Sequence, residues 1–425
     1  MKRVSFYTVG CKLNQYETEL LASQMQKLGF ERVDWAQEAD LYIINSCNVT
    51  HKAAADSRRK IFSARRNAPD SKIIITGCSA DIQGDELANI AELDLIVSNE
   101  EKQQLISKIS GLFPEISADL YLDKGNYLEE LPKHSRALIK IQNGCDQHCS
   151  YCIIPQARGH EITRPAPEII REIAAVCANG YKEAILTGVH IGRYDNGGLK
   201  LSGLINTILD STPIERIRLS SLEVNEIDDV LIEIAERDSR VCPHFHIPLQ
   251  SGSDTILRSM NRPYKCKDYS QTIEKLKSRI PHVMVGADVI VGFPGEDDKY
   301  YSETMAFIEN NPIDYLHVFS YSDHPKAKSY HFENKVVSKE IKYRNKMLTK
   351  LGNLKWHSFM KSQMTRSLPV LFEKRFTKNG SCLTGLSDNY IRVECRGGQE
   401  YFNTIQKVKP QEILDSKINA EIISI

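Results

Sequence analysis

Cys145, Cys149 and Cys152 lie within the ten residues NGCDQHCSYC, at spacing C-x3-C-x2-C. Thiolates are soft ligands that select zinc, copper(I) or iron–sulfur clusters. Three is one short of the four protein ligands that a closed structural zinc site takes, and an odd number for a disulfide framework. A four-iron four-sulfur cluster held by only three cysteines keeps one iron open to an outside ligand, and that open position is then the reactive one. The competing reading of the same residues is a zinc knuckle completed by His148 or a distant side chain.

A second trio depends on the elements around it. Short β-rich runs, VSFYTVG, LYIINSC, KIIITGC and LDLIVS, alternate with helical patterns over residues 15–29 and 52–68. That alternation predicts a parallel sheet with crossover helices, a doubly wound α/β domain. Cys11, Cys47 and Cys78 each stand where one of the first three runs gives way to its loop, 36 and 31 residues apart, about one βα unit each. The carboxyl ends of adjacent parallel strands open onto one crevice, so these three thiols can meet there. Taken alone, they are equally consistent with buried core thiols.

A polar stretch with Gly125, Asn126 and Pro132 predicts a linker. Six further strand-like runs follow: ALIKIQNG, EAILTG, RIRLSS, HFHIPLQ, VGADVIVGF and YLHVFSYS. Repeated βα units of this kind predict a partial, TIM-like (β/α)6 barrel, whose chemistry belongs at the C-terminal ends of its strands. The C-x3-C-x2-C motif lies just after the first of them. From residue 363 the pattern changes to short alternating strands, LPVLFEK, YIRVEC and INAEIISI, with turns at KNG and RGG. This predicts a small OB-like β-barrel, preceded by the basic helical segment KEIKYRNKMLTKLGNLKWHSFMKS. The expected division is 1–125, 135–362 and 363–425, with no internal repeat.

The chain has 425 residues, 41% hydrophobic and 26% charged, enough for more than one packed core. Its longest apolar stretch, Val283 to Phe293, is broken by Gly286 and Asp288 and is far shorter than the roughly 18 residues of a membrane span. The start MKRVSFYTVGCKLN reads as a first strand rather than a signal peptide. Eleven cysteines without an export signal then point to a reducing compartment, the cytoplasm. Cys177, Cys242, Cys266, Cys382 and Cys395 have no metal spacing and read as ordinary thiols. A formal net charge of zero hides local blocks: Lys52 to Lys72 carries seven Lys or Arg against two acids, Asp323 to Arg366 eleven against three, and Asp81 to Glu130 twelve acids against three Lys.

The cysteine motif, with Tyr151 before its last cysteine, resembles the signature of the radical S-adenosylmethionine (SAM) enzymes. TVGCKLNQYETE, NSCNVTHKAAADSRRKI and IITGCSA resemble the three cysteine segments of the methylthiotransferase N-terminal domain. HIPLQSGSDTILRSMNRPY, DVIVGFPGE and a C-terminal region similar to the TRAM domain extend the resemblance over essentially the whole chain. It implies two four-iron four-sulfur clusters. One, on Cys145, Cys149 and Cys152, would bind and cleave SAM; the other, on Cys11, Cys47 and Cys78, would carry the sulfur to be transferred. One SAM would methylate that sulfur and a second would supply the radical that removes hydrogen from an unactivated carbon. A C–H bond on an aromatic ring offers no acidic proton to a base, so no side-chain acid or base is named. By the same resemblance, Tyr151 accompanies the SAM site and Thr187 and Gly188 in LTGVHIG receive the amino group. Ser220, Ser221, Gln250, Asp288 and Gly292 sit at or near later strand ends and either line the pocket or are turn residues and satisfied polar contacts; Gly292 and Gly295 suit a plain turn.

Acceptors in this family are isopentenyladenosine in tRNA, threonylcarbamoyladenosine in tRNA, or an aspartate of a ribosomal protein. GCKLNQYETE with NVTHKAAADSRRKI is most similar to the threonylcarbamoyladenosine subgroup, which implies methylthiolation at C2 beside the anticodon. The non-enzymatic alternative is a metal-binding RNA module. Implied partners are the tRNA anticodon loop, an electron donor such as flavodoxin or ferredoxin, and a sulfur donor, with no membrane. The two basic blocks and the small barrel fit phosphate contacts and a splayed-out base. Tyr390, Tyr401 and Phe402 either stack on bases or fill the barrel core. Arg58, Arg59, Arg65 and Arg66 either meet phosphates or form a solvated helix face. The chain departs from the family after HVFSYSD: where members usually continue with Arg, a small spacer and Gly-Thr, His324, Lys326 and Ala327 stand here, so no contacts are carried over to that loop.

Overall fold

The computed structural model describes residues 1–116, 135–377 and 380–423. The expected linker around Gly125, Asn126 and Pro132, part of the KNG turn and the last two residues of INAEIISI lie outside them. Described residues within Met1–Glu130, Gln142–Ile162 and His324–Ala327 form one compact unit; the rest form a second.

In the first unit, strands β1 (Arg3–Thr8), β2 (Glu31–Val33), β3 (Leu41–Ser46), β4 (Lys72–Gly77) and β5 (Leu95–Val97) make an all-parallel sheet in the order β2-β1-β3-β4-β5. Strand alternation splits its apolar residues between two faces. Leu41, Ile43 and Ile74 pack with Leu21 and Met25 of α1 (Lys12–Lys27) and Leu105 and Ile109 of α5 (Leu105–Leu112). Tyr42, Ile44, Ile73 and Ile75 pack with Ile61 and Ala64 of α2 (His51–Asn67) and Leu87 of α4 (Gly84–Ala88). All six residues of β3 are buried, as a central strand covered on both sides must be. Thr50 caps α2 by accepting the Ala53 amide at 3.2 Å, an interaction worth about 1 kcal/mol. Strands β1, β3 and β4 are neighbours, and Cys11, Cys47 and Cys78 stand at their carboxyl ends. Two short helices complete the unit's cysteine regions: α3 (Cys78–Ile82) and α6 (Ile154–Arg158).

The second unit contains two three-stranded parallel sheets. Strands Ala137–Lys140, Glu183–Thr187 and Arg216–Leu219 form one, with Glu183–Thr187 in the middle. Strands His244–His246, Met284–Val291 and Tyr315–Ser320 form the other, with Met284–Val291 in the middle. A parallel bridge between Ile217 and Val241 connects the two, so the six strands follow one another in sequence order. The helix Ser338–Ser362 then leads to a closed barrel of five strands: Leu368–Phe376, Leu383–Ser387, Arg392–Cys395, Ile405–Leu414 and Lys417–Ile422. Trp356, Phe359 and Met360 of that helix pack into the barrel core with Val370, Phe372, Val393 and Ile418, and Tyr390, Tyr401 and Phe402 lie half-buried against it. Arg218 and Glu183, both fully buried, pair at 2.7 Å, and Arg218 also donates to the carbonyls of Ser387 and Asp388 in the barrel. Among the described residues no helix is long and apolar enough to cross a membrane.

Candidate functional site

Cys11 is exposed and N-caps α1, Cys47 follows β3, and Cys78 opens α3; the last two are buried. Polar side chains tie the three strand ends together. Asn14 donates to the Val9 and Ser46 carbonyls at 2.8 and 2.9 Å, and its Oδ1 accepts from Cys11 Sγ at 3.5 Å. Ser46 Oγ donates to the Thr76 carbonyl at 2.6 Å and accepts the Ser79 amide, while Ser79 Oγ donates to the Cys47 carbonyl. Gly77, directly before Cys78, has φ +89°, and a Cβ there would come within 2.5 Å of the Ser46 carbonyl oxygen. Burial pushes the Cys47 thiol up to about 11, with Cys78 and Cys11 adding to the rise, and burial likewise raises Cys78. The neutral thiols must therefore release their protons on binding a metal.

Cys145, Cys149 and Cys152 occupy a loop closed by its own backbone. The Cys145 amide donates to the Gly159 carbonyl at 3.1 Å. Gly144, at φ +74°, passes so close to His160 that a Cβ would overlap its carbonyl oxygen. Amides of Gln147 and Ile154 point at the sulfurs of Cys145 and Cys152, each at 3.4 Å. Such N–H to sulfur bonds are among the levers that tune iron–sulfur clusters.

Both trios fall in the first unit. Cys78 and Ile82 of α3 pack with Ile153, Ala157 and Ala327. Arg158, at the end of α6, donates to Glu17 at 2.9 Å, to Asn143 at 2.9 Å and to Asn14 Oδ1 at 2.5 Å. The divergent loop joins this environment: buried His324 stacks on His51 at 6.4 Å, and Gln156 donates to the Lys326 carbonyl at 2.9 Å. All eleven cysteines are free thiols. Soft thiolate donors, three to a site, fit an iron–sulfur cluster with one iron left open better than a closed four-ligand zinc site. His148 is in none of the single-ion groups of His, Cys, Asp and Glu found among the described residues.

Tyr151 lies in the first unit and the other expected SAM residues in the second. Thr187 ends its strand fully buried, with its carbonyl taken by the Ile141 amide at 2.9 Å; Gly188 follows it half-buried. Ser220 donates its amide to the Leu186 carbonyl at 3.1 Å, which places it beside Thr187, while Ser221 is exposed. Gln250 donates its amide to the Asp288 carbonyl at 2.8 Å. Asp288 Oδ1 accepts from His246 Nε2 at 2.9 Å and His317 Nδ1 at 3.3 Å. Burial pushes its carboxyl up, but these bonds and charges overcome that and hold it well below the usual carboxylate range. Gly292 donates its amide to Glu296 Oε1 at 2.8 Å, the turn role that its sequence context allowed. The structure thus gathers Thr187, Gly188 and Ser220 on one sheet and Gln250 and Asp288 on the other. Sequence reasoning missed Arg158, Glu17, Asn14, His246 and His317. Only Arg158, six residues after Cys152, carried a positional hint.

Residues 3–98 match the model described as Uncharacterized protein family UPF0004, and residues 139–308 that of the Radical SAM superfamily. The threonylcarbamoyladenosine tRNA methylthiotransferase MtaB of Bacillus subtilis (strain 168) is 35% identical over 424 residues, covering 96% of this chain and 94% of that protein. The tRNA-2-methylthio-N(6)-dimethylallyladenosine synthase of Endomicrobium trichonymphae is 31% identical, covering 97% of each. Among solved structures, the radical SAM methyltransferase TsrM from Kitasatospora setae shares the fold, with a TM-score of 0.59 at 13% identity over 77% of each chain. With identity at this level sustained from end to end, and each cysteine trio inside a matched region, the chain belongs to the methylthiotransferase family of radical SAM enzymes.

Proposed function

We propose that this enzyme adds a methylthio group to C2 of N6-threonylcarbamoyladenosine beside the anticodon of tRNA. The observation that carries the reading is the presence of both cysteine trios in one compact unit of a chain whose full-length relatives, 32–35% identical, bear that acceptor in their names. Cys145, Cys149 and Cys152 would hold the cluster that binds SAM, and Cys11, Cys47 and Cys78 an auxiliary one. When bound, these groups supply the electron that cleaves SAM and the sulfur that is transferred.

The protein's own part is to bind and orient. Asn14, Ser46 and Ser79 fix the strand ends that present one trio; the amides of Gln147 and Ile154 steady two sulfurs of the other. Thr187 and Gly188 would take the SAM amino group, with Ser220, Ser221, Gln250 and Asp288 around the rest and Gly292 shaping the turn; Tyr151 would accompany the SAM-binding cysteines in the first unit. Asp288, kept ionised by two histidines, gives a fixed negative charge suited to a cationic cosubstrate. The six ordered parallel strands read as an open (β/α)6 barrel, and the closed five-stranded barrel as a TRAM-like module that grips RNA phosphates. The division into 1–125, 135–362 and 363–425, a cytoplasmic location, a flavodoxin- or ferredoxin-like reductant and a separate sulfur donor complete the proposal.

A second reading, methylthiolation of dimethylallyladenosine, is favoured by relatives of that name at 30–31% identity. Mass spectrometry of tRNA nucleosides from cells with and without this chain decides between them. Loss of the 2-methylthio derivative of threonylcarbamoyladenosine is the expected result. Loss of the dimethylallyladenosine derivative instead transfers the assignment to the second reading, and no change in either overturns both.

A further inference from the structure

We infer that Arg158 is a positioning residue for the N-terminal cysteine trio, whose buried positive charge stabilises the reduced, more anionic form of the cluster held there and so raises its reduction potential. The inference rests on the reading of Cys11, Cys47 and Cys78 as cluster ligands.

The Arg158 side chain is 1% exposed. A buried guanidinium without matching negative charge is costly, so its surroundings should be anionic. The carboxylate beside it is Glu17, which also pairs at 2.7 Å with Lys102, a largely buried side chain. One buried carboxylate is thus shared by two cations. Asp81, the next acid in the neighbourhood, accepts bonds from Asn99, and burial pushes its carboxyl up towards the neutral form. The third partner of Arg158, Asn14, touches the trio. Asn14 Oδ1 takes the guanidinium at 2.5 Å and the Cys11 thiol at 3.5 Å, so one atom bridges the two. Ala157, the residue before Arg158, packs against Cys78. Thiolate-bound iron–sulfur groups carry net negative charge that grows on reduction, and a cation held nearby in a low-dielectric site favours the more negative state. Because α6 begins two residues after Cys152, the same short helix joins one trio's loop to the other trio's charge.

The test uses the full-length chain with Cys145, Cys149 and Cys152 replaced by Ala, reconstituted anaerobically, so that one cluster is titrated against dithionite and followed by electron paramagnetic resonance. R158Q should move the midpoint to more negative potential, R158K should restore it, and E17Q, which removes the competing carboxylate, should move it the opposite way. A merely structural role predicts no such pair of opposed shifts. Iron bound with an unchanged midpoint in R158Q overturns the role of Arg158 while leaving the ligands in place. If R158Q binds no iron, E17Q decides: an upward shift supports the inference and an unchanged midpoint overturns it. No iron in the parent variant removes the ligand assignment itself, and the inference with it.

Discussion

Cys149 and Cys47 test the proposed duties of the two trios one atom at a time. Replacing Cys149 with Ala would remove one proposed ligand of the SAM-binding cluster. SAM cleavage by the reduced, reconstituted enzyme should fall to background. Cys47→Ala leaves that loop whole, so cleavage should persist while methylthiolated product disappears; product formation by this variant would refute the auxiliary site. Asp288 allows a different single-residue measurement. Its native carboxyl is held below the unfolded value despite burial, by His246 and His317. The sign follows from linkage: the stabilisation is fully present above the unfolded carboxylate value of about 4 and is lost as pH falls through the native one. Urea denaturation between neutral and strongly acid pH should show Asp288→Asn flattening part of the acid-side loss of stability seen in the wild type. Identical slopes for the two proteins would show that the histidines do not hold the charge.

At the scale of elements, the cysteines of the first unit depend on how strands end. Gly77 closes β4 with φ +89° against the Ser46 backbone. Gly77→Ala must strain that turn and push Cys78 away from β3, so it should destabilise the protein by more than about 1 kcal/mol. Chemical denaturation measures the loss, and iron analysis after reconstitution should show the N-terminal site depleted; full iron content would mean that the turn does not position Cys78. The strand ends were legible because each apolar run is long enough to show its period, and because the loop that follows each begins with a cysteine. β2, Glu31–Val33, escaped because two of its three residues are charged and form no apolar run. HFHIPLQ reads as one strand, but the regular strand covers only His244–His246: Pro248 has no amide to donate, Gln250 turns to φ +63°, and pairing returns as an isolated bridge from Gln250 to Val289. The contacts of Arg158 with Asn14 and Glu17 span 144 and 141 residues, and those of Asp288 with His246 and His317 cross between strands. No local pattern encodes such pairs. They exist only after the sheets have closed, which is why the two cysteine trios could be read from the sequence and the charges around them could not.

At the scale of the whole molecule, net neutrality conceals a surface suited to RNA. Of the four arginines in the first basic block, Arg58 pairs with Glu86, Arg59 with Asp56 at 2.9 Å, and Arg65 with Asp94 and three carbonyls. Most of that block is thus engaged within the protein. The helix Ser338–Ser362 is different. Lys339, Lys342, Lys346 and Lys350 are exposed and follow one another at intervals of three, four and four residues, which puts them on one face. The opposite face buries Leu348, Trp356, Phe359 and Met360. A stripe of cations backed by a packed core suits contact with a phosphate backbone, where each neutralised phosphate releases counterions and steepens the dependence of affinity on salt. Replacing all four lysines with Gln should weaken tRNA binding and reduce the slope of log affinity against log salt by about 3 in magnitude. SAM cleavage in the absence of tRNA should be unchanged, since none of these four exposed lysines is among the residues assigned to the clusters or to SAM. Filter binding over a range of potassium chloride concentrations gives the slope. A quadruple variant that binds tRNA with the wild-type slope would move the RNA interface off this helix and leave the small barrel to carry it alone.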